Sequence, residues 1–172
     1  EYKSPFYKFG DIMFLPKISN DDWKSYIASR FRDTGKNISP EVAGYIAQLV
    51  DNHPYYVQQL AQLSWLRCEK DCSAETVDGA LESLLDSLNL QFINIMDSLT
   101  EKQRNFLCAL SDGVTQLTSE KTLSTYSLGT NGNVRIIRNA LLKRDIVDME
   151  GRTVYIQDPV FKLWIVRQYS IL

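Results

Sequence analysis

Residues 131–164 read NGNVRIIRNALLKRDIVDMEGRTVYIQDPVFKLW, and the order of patterns in this stretch decides the fold. Val134, Ile137 and Leu141 recur at helical spacing, which predicts a helix from about Asn133 to Arg144. Ile146, Val147 and Met149 then supply a short strand, Glu150-Gly151 a turn, and Val154 and Ile156 a second strand. Asp158-Pro159 opens a last helix to about Tyr169, which packs through Val160, Phe161, Trp164 and Ile165.

Two more helical patterns precede this stretch. Thr100-Glu101-Lys102-Gln103 is a T-x-x-Q capping box, Phe106, Leu107 and Leu110 line its helix, and Gly113 ends it. A second helix is expected around Ser119–Tyr126, followed by Gly129 and Asn131-Gly132 as turn chemistry. Three helices followed by a two-stranded wing is the winged-helix layout, expected over residues 100–172. Such a platform reads DNA or docks onto protein and is rarely an active site.

Residues 19–99 read as a helical bundle. Ser19 and Asp22 mark a start, and Trp23, Tyr26, Ile27 and Phe31 follow at helical spacing until Gly35. Ser39-Pro40 opens the next helix, with Val42, Ile46, Leu49 and Val50 as its stripe. Asn52-His53-Pro54 breaks the chain, because proline disfavours a helical His53. A third helix to about Cys68 shows Val57, Leu60, Ala61 and Ser64 on one face. A fourth, capped by Ser73, carries Val77, Leu81, Leu84, Leu85, Leu88, Phe92 and Ile95. Ahead of the bundle, residues 5–18 alternate loosely around Phe9, Ile12, Phe14 and Ile18, which predicts one strand. An isolated strand is unstable, so it belongs to a larger sheet or folds back on the helices. The fold class is therefore mainly α: a bundle, then a winged helix with a small wing.

Bulk composition narrows the function. At 44% hydrophobic and 23% charged over 172 residues, the chain can bury a core. No apolar run reaches a membrane span and no signal peptide opens the sequence, so no membrane role is expected. The polar start without methionine suggests a piece of something longer. Cys68, Cys72 and Cys108 are an odd, sparse set, which fits a reducing, cytoplasmic setting rather than a disulfide scaffold. Residues 1–99 hold nine Lys/Arg against fourteen Asp/Glu (net −5), and residues 100–172 hold ten against seven (net +3). That asymmetry suits two regions with different partners.

Candidate chemistry is sparse. The single histidine, His53, stands in an inter-helix elbow, no serine or cysteine occupies a nucleophile elbow, and Cys68-x3-Cys72 lacks partners for a zinc site. No catalytic or metal-binding residue is predicted. No G-x-x-x-x-G-K-[ST] loop is present, so these residues cannot cradle a triphosphate alone.

The elbow Asp51-Asn52-His53-Pro54-Tyr55-Tyr56-Val57-Gln58 carries a specific resemblance. A lead-in FYKFGDI, then L-P-K-I, W-x-x-Y-I-x-x-R-F, N-H-P-Y-Y-V-Q and a terminal D-P-x-F-x-x-W resemble, in order and spacing, the C-terminal half of archaeal-type ATPases of the AAA+/STAND class. The resemblance implies that residues 1–18 are a remnant strand and lead-in from a P-loop core, 19–99 a helical lid, and 100–172 a winged helix. It implies a parent that binds ATP with magnesium through its N-terminal P-loop domain, which is then the partner of this chain. No nucleotide is expected on these residues alone, and no hydrolysis. In related proteins a small-residue–x–Pro elbow packs against adenine. Asn52, His53 and Pro54 match it, with Asn52 in place of the usual glycine. Tyr55 and His53 would flank the base, and Arg30 is a candidate phosphate sensor. Read without the resemblance, a His-Pro between helices is a tight, capped connection.

The third helix of the winged region presents Arg135, Arg138, Asn139 and Lys143 opposite its apolar stripe. Arginine and asparagine suit base edges and lysine suits phosphate, with Arg144 and the wing-tip Arg152 as backbone contacts. Asp145, Asp148 and Glu150 crowd the same end and repel phosphate. A DNA-binding regulator and a protein-interaction module, binding duplex DNA or a protein partner, therefore stand as alternatives to the ATPase lid.

Overall fold

The computed structural model describes residues 18–169, so the strand expected over 5–18 lies outside the described residues except for Ile18. The described chain is mainly helical, with a winged-helix second half. Its elements are α1 (Asn20–Asp33), β1 (Asn37–Ile38), α2 (Pro40–Leu49), α3 (Pro54–Arg67), β2 (Asp71–Cys72) and α4 (Ala74–Asp97). There follow α5 (Glu101–Ser111), α6 (Glu120–Thr125), α7 (Asn131–Leu142), β3 (Val147–Glu150), β4 (Thr153–Ile156) and α8 (Pro159–Tyr169). None of the described helices is long and apolar enough to cross a membrane.

Helix starts follow the capping chemistry. Ser19, Ser39, Ser73 and Ser119 each accept a hydrogen bond from the backbone N–H three residues on, which satisfies one orphan donor per helix. Thr100 and Gln103 make the reciprocal box at α5. One expected turn is corrected. Asn131-Gly132 is not a turn but the first turn of α7, because Thr130 Oγ1 accepts from Asn133 N–H and starts the helix two residues earlier.

The helices bury the expected stripes. Trp23, Ile27 and Phe31 of α1 pack with Ala43, Ile46 and Ala47 of α2 and with Val57 and Leu60 of α3. Tyr26 departs from expectation: it is 45% exposed, pointing away from the α1–α2 contact. Asn37 and Ile38 pair in parallel with Asp71 and Cys72, a two-residue ladder that the sequence pattern did not announce. Lys36 fixes the same corner, donating to the carbonyls of Trp65 at 2.6 Å and Cys68 at 2.7 Å, with its ammonium 4.0 Å from the Trp65 ring centroid. Cys68, Cys72 and Cys108 are all free thiols and all buried.

α4 belongs to both halves. Its first turns bury Val77 and Ala80 against the bundle. Further on, Phe92 packs at a tilt against Phe161 and Trp164 of α8, with ring centroids 5.0 and 5.8 Å away. Asn89 accepts from Trp164 Nε1 at 2.8 Å, and Arg167 of α8 reaches back to Glu82 and Asp86, each at 2.9 Å. β3 and β4 pair antiparallel with Val147 opposite Ile156, which places both apolar ends of the wing in the core and its Glu150-Gly151 tip in solvent.

Candidate functional site

The elbow is built by the way α2 ends. Asn52 N–H bonds to Ala47 O at 2.8 Å and Asp51 N–H to Gln48 O at 3.2 Å, the paired closure of a helix C-terminus. It requires left-handed backbone, and Asp51 and Asn52 supply it with φ of 51° and 56°. Asparagine tolerates this region better than most residues, so the turn needs no glycine at this position. The Asn52 side chain is half-buried, and Asn20 Nδ2 lies 3.5 Å from its Oδ1 while donating to Gly44 O at 3.0 Å.

The next three residues face outward. His53, Pro54 and Tyr55 are exposed, and His53 is the N-cap of α3 without any side-chain capping bond. Pro54 at the first helical position loses no intrahelical hydrogen bond. Tyr56 turns inward: it is buried, lies 5.0 Å from the His53 ring and 5.2 Å from Tyr55 by ring centroids, and donates to Asp158 Oδ2 at 2.6 Å. Asp158 Oδ1 in turn accepts from the N–H groups of Val160 and Phe161 and caps α8. Burial, then the Asp158 hydrogen bond and charge, push the Tyr56 hydroxyl well above the ordinary tyrosine range.

Two clefts flank the elbow. One of about 260 Å³ is lined by His53, Tyr55, Tyr56, Asp145, Gln157 and Asp158. The other, of about 740 Å³, runs from Asp51 and Asn52 to the wing, where it is lined by Arg152, Tyr155 and Lys162 among others. Arg30 lines neither. It is exposed, 3.8 Å from Asp33, stacked 5.2 Å over the Tyr26 ring, in a separate groove of about 400 Å³ between α1 and α3 that Trp65 closes. The structure thus brings Asn52, His53, Pro54 and Tyr55 together and leaves Arg30 apart.

Arg135 and Asn139 of α7 and Lys143 at its C-cap are exposed at four-residue spacing and form one row. Two expectations change. Arg138 is half-buried on the flank, with its Nε buried and without a partner, so it does not share that row. Arg144 is committed within the chain: its guanidinium donates to Ser98 Oγ at 2.6 Å and Ser98 O at 3.2 Å. Arg152 is exposed at the wing tip and lines the elbow-side cleft, to which α7 contributes nothing. Tyr56, Asp158, Asp145 and Gln157 had no signal as site residues in the sequence; Asp158 was legible only as a helix opener.

Comparison with known proteins bears on the fold. Residues 90–167 match the family model described as a probable winged helix domain. Among solved structures, the Walker-type ATPase PABY2304 of Pyrococcus abyssi superposes with a TM-score of 0.69 at 17% sequence identity. The match covers 96% of this chain and 47% of that one, so the chain spans about half the length of the ATPase it resembles. At this identity the likeness is one of fold. No curated protein matches.

Proposed function

We propose that this chain is the helical lid and winged helix of a P-loop ATPase of the AAA+/STAND class, with Asn52, His53, Pro54 and Tyr55 as its adenine-facing elbow. The observation that carries this reading is the exposed His53-Pro54-Tyr55 edge, held rigid from behind by the α2 closure and by the buried Tyr56. It offers two rings and a proline to solvent in a fold that makes up 47% of a Walker-type ATPase. Aromatic faces and a proline suit a flat base, which gains contact area with little loss of side-chain freedom. The P-loop half, preceding this chain, would hold the triphosphate and magnesium. These residues would orient the base and exclude water from it, and would hydrolyse nothing themselves. Nucleotide would bias the position of the lid, and the winged helix would follow because Tyr56, Asn89 and Glu82 tie it to the bundle. Arg30, set apart in its own groove, enters only as a phosphate sensor that the P-loop half would have to approach from the α1 side.

The test is binding of a fluorescent ATP analogue by the protein carrying its P-loop half. His53→Ala with Pro54→Ala should weaken it, and unchanged affinity would remove the elbow from the site.

A second reading rests on the Arg135, Asn139 and Lys143 row, which suits a duplex DNA groove. It predicts DNA binding at low salt whose salt slope falls by about 1 on replacing one phosphate-contacting cation. No mobility shift for the wild-type protein at low salt would leave the winged helix as a platform for protein partners.

A further inference from the structure

The elbow does not face open solvent on all sides. The cleft of about 260 Å³ beside it is shared equally between the halves: His53, Tyr55 and Tyr56 from the bundle, Asp145, Gln157 and Asp158 from the winged helix. Three of these six already make hydrogen bonds. Tyr56 donates to Asp158, Asp158 accepts that bond and the two of the α8 cap, and the Tyr55 hydroxyl accepts from Gln59 Nε2 at 3.0 Å. The side chains of His53, Asp145 and Gln157 make no hydrogen bond or ion pair among the described residues. The backbone at the latter two is nonetheless fixed, since Asp145 N–H donates to Leu142 O at 3.1 Å and Gln157 N–H to Ile146 O at 3.1 Å. An unpartnered carboxylate and an unpartnered carboxamide, each on an anchored backbone, therefore line the same cleft as the His53 and Tyr55 rings.

At about 260 Å³ the cleft is just below the roughly 300–1,000 Å³ of pockets that bury a whole ligand, a size that suits one ring system. A carboxylate only accepts hydrogen bonds, whereas a carboxamide both donates and accepts. The complement is a flat heterocycle that carries an amine donor next to a ring acceptor.

We propose that Asp145 and Gln157 read the exocyclic amine edge of a purine base stacked on His53 and Tyr55, so that the winged helix supplies the base-selective contacts of the lid. This inference rests on the ATPase reading above. It makes the base a bridge between the halves, with the phosphates held elsewhere.

The experiment compares ATP with purine riboside triphosphate, which lacks the amine, in the protein carrying its P-loop half. The wild type should prefer ATP by about tenfold, the worth of one charge-assisted hydrogen bond. Asp145→Asn and Gln157→Ala should each lower that ratio. Both side chains are exposed and unpartnered, and asparagine keeps the left-handed backbone that Asp145 adopts at φ 53°, so folding is preserved. If both nucleotides bind and neither variant changes the ratio, the assignment of Asp145 and Gln157 fails while the elbow stands. If neither nucleotide binds the wild type, the ATPase reading and this inference fall together.

Discussion

The Tyr56 hydroxyl donates a 2.6 Å hydrogen bond to the Asp158 carboxylate, joining the first turn of α3 to the cap of α8 across 102 positions of sequence. One residue of the elbow is thereby fastened to the residue that starts the last helix of the winged domain. The two halves share α4 as well, so they are joined by a covalently continuous helix and by this bond.

Tyr56→Phe should therefore lower the stability of the whole chain. The bond is to a charged acceptor and partly buried, which places the loss at about 1–3 kcal/mol in urea unfolding. Asp158→Ala should cost more, because it removes the α8 cap too, worth about 0.5–2 kcal/mol. Additive losses in the double variant Tyr56→Phe/Asp158→Ala would show that the two side chains do not interact.

Stability should fall on the alkaline side. Burial first, then the Asp158 bond, raises Tyr56; burial first, then Asp112, raises Tyr126 to about 12; burial first, then Cys68, raises Cys72 to about 12. In each case the unfolded chain releases its proton first, near the ordinary values of 9.0 for cysteine and 10.0 for tyrosine. The contribution is thus complete below pH 9 and lost as pH climbs toward 12. Urea midpoints measured from pH 7 to 11 should be flat and then decline. A Tyr126→Phe variant should decline less steeply above pH 10, and a parallel decline would assign the effect to other groups.

Two contacts between α4 and α8 should differ in worth. Trp164 is 1% exposed, so Asn89→Ala leaves its Nε1–H buried without the acceptor, at a cost of about 1–3 kcal/mol. Arg167 faces Glu82 and Asp86 at the surface, and Arg167→Ala should cost about 1 kcal/mol or less, shrinking further in added salt. Thermal unfolding of the two variants at low and high salt checks the order. A larger, salt-independent loss for Arg167→Ala would reverse the argument.

Much of the fold is local and was readable as such. Every helix predicted within the described residues exists, because serine and threonine caps and 3.6-residue stripes act over one or two turns. The wing followed from two short apolar runs around Glu150-Gly151. The misreadings came where a neighbour in space overrode a neighbour in sequence. Tyr26 sits on an apolar stripe yet stays at the surface, because the α1–α2 contact is already filled by Trp23, Ile27 and Phe31. Arg144 resembled a phosphate contact until Ser98, 46 residues earlier, proved to hold it.

From the sequence alone came the element order, the caps, the winged-helix layout and the presence of a His53-Pro54 elbow between helices, since these depend on residues a few positions apart. Only the tertiary structure decided what that elbow faces. The pairing of Tyr56 with Asp158, the cleft shared with Asp145 and Gln157, and the separation of Arg30 all depend on how α4 lays one half against the other. Side-chain periodicity says which face of a helix is buried, but not which distant residue buries it.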